Sequence, residues 1–520
     1  MITNYFRIRL IMPLNSYSEL YSNESVRRID QAAINAGTPA IVLMKRAGRD
    51  AFVLLRDLWP ECARLVVICG GGNNGGDGYV IAALAKQAGL DVTLYCSRDS
   101  AELHGASREA ADYARQEGVD SHDLAVLLGD ASEPFVVDEP KLEPQSTVIV
   151  DALLGTGLRG DIRGLHQDAI EWMNGQNASV FAVDVPSGLS ADFGSYTCVS
   201  VCAAATITFV GVKQGLLTGD ARECCGALYF SDLGIPDRIR SRIKPSAALL
   251  RPQAYLHELA RDENSHKGAH GHAAIVGGGE SMGGAAMLGA EASLYCGAGL
   301  VSLHLWQDSV PSALTRLPEV MVSPLVDPEA LDVALRSVNA IGLGPGLGKT
   351  QWSVDVCERV LALPQMKVID ADALNLIASG CATLPADSNH IMTPHPGEAA
   401  RLLDVSIQVV QTDRFQAARD LQLRYGGVVV LKGAGTIIAD ASGQWLCDKG
   451  NPGMAVAGMG DVLVGVIVAL LSQGLSPLAS AQLGVWLHST GADDAVAESG
   501  MIGVRASDVI PFIRKRINAK

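Results

Sequence analysis

No stretch of this chain interleaves basic residues with aromatics, and its formal charge is −15 over 520 residues. That balance argues against a nucleic-acid partner, which requires broad phosphate neutralisation. The eleven cysteines contain no CxxC pair; Cys224 and Cys225 are adjacent, and Cys198 and Cys202 lack the histidines that would complete a zinc site. They read as unpaired thiols of a reducing cytoplasm. No apolar run approaches the roughly 20 residues needed to cross a bilayer; the best, Val462 to Leu471, has the length of a buried core helix. Met1 to Met12 holds an apolar patch with arginines but no small-residue cleavage site, so no secretory signal is expected and Met12 is a candidate start. What remains is a water-soluble chain too long for one ordinary core, which predicts two domains of roughly 250 residues each.

From Ser22 to about Ile243 strand-like runs alternate with helical or loop stretches, the strands at Arg64 to Cys69, Asp91 to Tyr95, Thr147 to Asp151, Val180 to Val185 and Ala205 to Val210. Such alternation predicts a parallel sheet covered by helices on both faces. Polar, basic and Pro-containing residues from Pro236 to Pro252 break the pattern and read as a linker. A second block begins at His272, with strands at His272 to Val276, Leu300 to Leu305, Ala340 to Leu343, Lys367 to Asp370 and Val428 to Leu431, and a small-residue helix from Gly284 to Cys296. The expected fold class is α/β twice over: a Rossmann-like parallel-sheet domain at 12–243 and a ribokinase-like α/β domain at 250–520. The halves share no evident repeat and read as different folds fused, which suggests related tasks.

The most informative segment of the first half is Gly71-Gly72-Asn73-Asn74-Gly75-Gly76-Asp77-Gly78, which joins the Arg64 to Cys69 run to a helix pattern with Val80, Ile81, Leu84 and Ala88 on one face. Glycines let a backbone approach an anion, and the helix behind them aims free N–H groups and its positive dipole end at it. A mere turn does not need three adjacent oxygen-bearing side chains, so Asn73, Asn74 and Asp77 read as ligands. Asp151, Asp184 and Ser187 follow further strands, where open α/β sheets place their sites. Asp151 opens DALLGTGLRG and Asp184 opens DVPSGL. Together with NNGGDG, these motifs resemble the YjeF N-terminal family, the NAD(P)H-hydrate epimerases. The resemblance implies that Asn73, Asn74, Gly75, Gly76 and Asp77, together with Gly155, Thr156, Gly157, Leu158, Arg159, Gly160 and Asp161, line the hydrated dinucleotide, with Asp184 at its reacting ring. It also implies a potassium ion on Asn74, Asp151 and Ser187, a set of oxygen donors that suits a large monovalent cation. Lys213 matches the family pattern too, although a solvated surface lysine is an equal reading.

In the second half, Asn451-Pro452-Gly453-Met454-Ala455-Val456-Ala457-Gly458-Met459-Gly460-Asp461 runs directly into the apolar helix Val462 to Leu471. A GxGD at a helix start offers N–H donors to a transferring phosphoryl group and a carboxylate beside them as base. Lys432-Gly433-Ala434-Gly435-Thr436 supplies a second strand-end loop, and the two describe a ribokinase-like nucleotide site. SHKG at Ser265, GLGPGLG at Gly342, DADALN at Asp370 and TPHPGE at Thr393 narrow the choice. This combination resembles the ADP-dependent NAD(P)H-hydrate dehydratases, and the whole chain is similar to bifunctional bacterial repair enzymes that join both activities. The resemblance implies that Ala285, Gly346, His395 and Asp461 meet the hydrated dinucleotide, and that Lys432 to Thr436 and Gly460 meet the adenine nucleotide. Ala269 departs from the polar residue usual after His-Lys-Gly, which touches only a peripheral contact.

The implied substrates, NADHX and NADPHX, carry a hydroxyl at C6 of the nicotinamide ring, and hydroxide is a poor leaving group. Phosphorylation would activate it: Asp461 takes the hydroxyl proton, the GMGD amides and Mg²⁺ steady the transferred phosphoryl from ADP, and phosphate departs. A shaped site accepts one of the two C6 epimers, which explains a fused epimerase using Asp184. A homo-oligomer is expected, with neither nucleic-acid nor membrane partners. The competing reading is a vitamin or sugar kinase fused to a non-catalytic Rossmann-like ligand-binding module.

Overall fold

The computed structural model describes residues 12–13, 17–129, 146–157, 160–385 and 390–519. The chain divides into two compact units, residues 1–247 and 248–520. Each is layered α/β, with a mostly parallel sheet whose strands are continuous apolar runs, as burial on both faces demands.

Unit 1 contains the strands β1 (Met12–Pro13), β2 (Arg64–Cys69), β3 (Asp91–Cys96), β4 (Ser121–Asp123), β5 (Thr147–Ala152), β6 (Ser179–Val183), β7 (Ala205–Phe209) and β8 (Ala227–Ser231), arranged β1-β8-β7-β6-β5-β2-β3-β4. All neighbours are parallel except the β1–β8 edge. The chain builds outward from β2 in one direction and returns from β5 in the other, so the switch point lies between β2 and β5. Its helices include α1 (Asn23–Asn35), α2 (Ala40–Leu58), α3 (Asn73–Gln87) and α4 (Gly105–Gln116). The run expected to reach Val185 stops at Val183 because Asp184 adopts φ 65°, and the one expected to reach Val210 stops at Phe209 because Val210 adopts φ 70°. Both residues lie in the left-handed region that non-glycine side chains rarely occupy.

The Asn-Asn segment is not a loop ahead of a helix. α3 starts at Asn73, so Asn73 to Asp77 form its first turn. Nor is α3 amphipathic about the expected face: it is buried from Asn74 through Ala83, while Leu84 is only partly covered. A Cβ on Gly75 would stand 1.9 Å from the Gly70 carbonyl oxygen, and one on Gly78 2.6 Å from both Cys69 Sγ and Ala152 Cβ. Those glycines let α3 lie directly on β2 and β5, which fixes its N-terminus over their ends.

In unit 2, nine strands lie side by side: β9 (His272–Val276), β10 (Leu300–Leu305), β11 (Met321–Pro324), β12 (Ala340–Leu343), β13 (Met366–Ile369), β14 (His390–Met392), β15 (Val428–Leu431), β16 (Ile437–Asp440) and β17 (Gly443–Leu446). Their order is β11-β10-β9-β12-β13-β14-β15-β16-β17, parallel up to β15 and antiparallel beyond. The switch point falls between β9 and β12. Helices α5 (Gly283–Tyr295) and α6 (Met459–Ser472) cross closely: a Cβ on Gly465 would meet the Gly289 carbonyl oxygen at 2.0 Å, and Ser293 Oγ donates to both Gly289 O and Gly465 O at 2.9 Å. The segment read as a linker is folded, with a helical turn at Asp237–Arg240 and a strand at Ala247–Leu249.

Two candidate active sites

The ends of β2 and β5 open into a cavity of about 830 Å³ lined by residues of α1, α2, α3 and the loops after β2, β5 and β7. Asn73, Asn74, Asp77, Gly155, Thr156, Gly157, Asp184 and Lys213 all reach it. Gly75 and Gly76 do not; they serve helix packing, Gly76 against Met44. Gly160 and Asp161 also lie off the lining, Asp161 facing Arg163 at 3.2 Å, and Leu158 and Arg159 lie outside the described residues.

Lys213 is fully buried rather than a surface lysine. Its Nζ donates to Asp184 Oδ1, to Thr208 Oγ1 at 3.0 Å and to Phe209 O at 2.9 Å. Asp184 Oδ1 also accepts from Phe209 N at 3.2 Å, so an ion pair with a fully buried ammonium and a partly exposed carboxylate faces the cavity. Burial pushes the Asp77 carboxyl well up, and the neighbouring Asp184 and Asp30 add to it. Burial likewise brings Asp30, on α1, up to about 6. The sequence contains no motif around Asp30 that would have singled it out.

Asn74, Asp151 and Ser187 meet around one backbone position. Asn74 Nδ2 donates to Leu154 O at 2.9 Å, Leu154 N donates to Ser187 Oγ at 2.7 Å, and Ser187 donates to both Asp151 oxygens, through Oγ at 2.5 Å and N at 2.7 Å. Asp151 is fully buried. Among the described residues, Asn74 Oδ1, also buried, has no hydrogen-bond partner. An orphaned amide oxygen beside a carboxylate and a hydroxyl is a set that an oxygen-seeking cation would complete, so these residues fit potassium.

The second site surrounds Lys432, at the end of β15. Its Nζ donates to Asp370 Oδ1 at 2.6 Å and stands 3.9 Å from Glu398 Oε2. Burial works against the ammonium, yet Asp370, Glu398 and Asp461 together hold its pKa above the usual value. Burial raises Glu398 to about 7 and Asp461 to about 6. Asp461 sits in the first turn of α6, whose N-cap is Gly458 at φ 91°, so it is not the cap. A Cβ on Gly460 would stand 3.3 Å from both Asp370 Oδ2 and Lys432 Nζ, which brings the helix N-terminus onto the charge cluster. Carboxylates outnumber the ammonium here, but Asp370 Oδ1 and Glu398 Oε2 are already engaged by Lys432 and His395 N, and among the described residues no three acidic, histidine or cysteine side chains converge as a metal site.

His395 caps the helix Pro396–Leu403: its Nδ1 accepts from Gly397 N at 2.9 Å and Glu398 N at 3.4 Å, while Glu398 Oε2 accepts from His395 N at 2.8 Å. The ring proton is therefore left on Nε2, and half of the side chain remains exposed. Gly346, at φ 58°, lets the loop after β12 pass Ala285 on α5: a Cβ there would stand 3.1 Å from that of Ala285. Beneath the Lys432 to Thr436 loop lies Arg414, 1% exposed, donating to Lys432 O at 3.2 Å and Gly435 O at 3.4 Å. Those bonds hold two of the loop's carbonyls inward, and Lys432 N donates to Pro394 O at 2.9 Å, which fixes where the loop leaves the strand. Gly433, at φ 139°, lies over that guanidinium, where a Cβ would stand 2.8 Å from Nη1. Arg414 was missed because its place under the loop is tertiary.

Comparison with known proteins matches residues 40–215 to a family described as YjeF-related protein N-terminus and residues 273–515 to one described as NAD(P)H-hydrate dehydratase. A bifunctional NAD(P)H-hydrate repair enzyme of Coxiella burnetii is 40% identical over 96% of this chain and 99% of its own. The enzyme of that name from Escherichia coli is 39% identical over 96% and 93%. Among solved structures, an ADP/ATP-dependent NAD(P)H-hydrate dehydratase from Bacillus subtilis, co-crystallised with ATP and Mg²⁺, is 30% identical over 52% of this chain and 98% of its own, with a TM-score of 0.47.

Proposed function

The chain belongs to the family of bifunctional NAD(P)H-hydrate repair enzymes, and from that membership we infer how its two sites divide the work. It is an NAD(P)H-hydrate epimerase and dehydratase: one activity interconverts the epimers of the hydrated dinucleotide, and the other returns the hydrate to NAD(P)H. Epimerisation belongs to unit 1 and dehydration to unit 2. The observation that carries this reading is that each unit holds an Asp–Lys pair, one partner buried and the other partly exposed, at the mouth of its sheet, Asp184–Lys213 in one and Asp370–Lys432 in the other.

In unit 1 the dinucleotide lies along the Asn73 end of α3 and the Gly155 to Gly157 turn, with its ring against Asp184 and Lys213. Asn74, Asp151 and Ser187 would hold a potassium ion, which would supply positive charge to fix the loops bearing them. In unit 2 the hydrate meets Ala285, Gly346 and His395. The loop from Lys432 to Thr436 and Gly460 meet ADP, the phosphoryl donor. A Mg²⁺ arriving with the nucleotide would supply charge neutralisation to the phosphates. Asp461, raised toward neutrality by burial, takes the C6 hydroxyl proton, and the α6 amides receive the transferred phosphoryl. Eleven free cysteines support a reducing cytoplasm.

The test follows NADH absorbance while the protein is supplied with hydrate, ADP and Mg²⁺. Recovery of NADH is expected from the parent, and a loss of about 10²-fold or more in kcat from Asp461→Asn with nucleotide binding retained. Near-parental turnover by that variant would remove Asp461 as base.

A further inference from the structure

Asp30 lines the cavity of unit 1 together with Asp184 and Lys213, although it comes from α1, far from them in sequence. Among the described residues no hydrogen-bond donor reaches its carboxylate. The charged groups that act on it are Lys213 and Asp184, and it acts in turn on Asp77. Aspartate is a poor helix-interior residue, so helix propensity does not account for one here. A carboxylate partly shielded from water, with no protein donor, and facing ligand space suits proton transfer.

We propose that Asp30 is a second catalytic residue of the epimerase site, exchanging one proton with the hydrate while the Asp184–Lys213 pair exchanges the other. The proposal rests on the epimerase reading of unit 1. Inverting C6 needs no oxidant. The C6 hydroxyl loses its proton as the C6–N1 bond breaks, its electron pair passing to N1, which takes up a proton; C6 becomes an aldehyde. After rotation about C5–C6 the nitrogen attacks the other face, gives up its proton, and the oxygen regains one. Oxygen and nitrogen therefore exchange protons in opposite senses, and two groups on separate elements serve that need better than one. The carboxyl of Asp30, lifted to about 6, can both give and accept near neutral pH.

The experiment uses the full chain and follows conversion of one purified epimer into the other by chromatography, without ADP. Asp30→Asn is expected to lower kcat by about 10²-fold or more while KM stays within about threefold. Asp30→Ala is expected to regain activity with added formate, which a merely structural role would not allow. Dehydration, run by the other unit, serves as the control for folding. A variant that keeps more than about half of the parental kcat, or that loses only KM, overturns the proposal alone. A parent that does not interconvert the epimers overturns the epimerase reading, and the proposal with it.

Discussion

A carboxylate kept from water costs stability once it ionises, and the site of unit 1 contains several. For Asp30 the sign is definite. Burial raises its folded pKa to about 6, above the unfolded value of about 3.9. The folded state thus keeps a proton that the unfolded state releases, so the stability this group contributes is full below about pH 4 and is lost as pH rises toward 6. Asp30→Asn should therefore raise the melting temperature at pH 7.5, by an amount worth about 1–2 kcal/mol after allowing for partial exposure, and leave it unchanged at pH 4. A variant less stable than the parent at pH 7.5 would show the carboxylate has a structural partner. Asp151 makes the converse case, since removing the sole anionic donor of the proposed potassium set strips the ion of its counter-charge. Potassium, compared with a large organic cation, should raise the melting temperature and epimerisation rate of the parent but not of Asp151→Ala; equal responses would exclude the ion site.

Elements decide which residues can act, and here the sequence was only partly legible. The parallel strands were readable because their apolar runs are nearly uninterrupted, and Asp151, Asp184 and Ser187 stood out as polar residues closing such runs. What hid the start of α3 was composition: glycine and asparagine read as loop, yet Gly75 and Gly78 are there to pack helix on strand. Lys213 was ambiguous because its burial comes from Asp184, Thr208 and Phe209, contacts made by chain reversal. Arg414 was invisible for the same reason, and it carries the prediction at this scale. Burial lowers its pKa to about 10, so it remains charged at neutral pH while bonded to loop carbonyls. Arg414→Met should remove those bonds, at about 1–3 kcal/mol, and weaken ADP binding by about tenfold by letting the loop shift. Calorimetric titration with ADP checks this; unchanged affinity would mean that Gly433 and Thr436 hold the loop unaided.

At the scale of the whole molecule, two compact units each carry a switch-point site of their own, and the residues named at each site belong to that unit. Each should therefore work when separated. The cut matters: Ala248 and Leu249 pair with Trp445 and Leu446, so the chain must be opened ahead of that strand, between Lys244 and Pro245. A fragment beginning at Pro245 keeps its edge pairing and should dehydrate at the parental rate, but only the epimer its site accepts. Supplied with a mixed hydrate sample, ADP and Mg²⁺, it should recover NADH in a fast phase that stops when the usable epimer is spent, followed by a slow phase set by spontaneous exchange. Adding the fragment 1–244 should restore a single fast phase, because the epimers then interconvert in solution without any need for the units to be joined. Complete fast conversion by the second fragment alone would mean that its site takes both epimers and that the epimerase is dispensable for repair. A slow phase that persists after the first fragment is added would instead mean that the hydrate must pass between units within one chain.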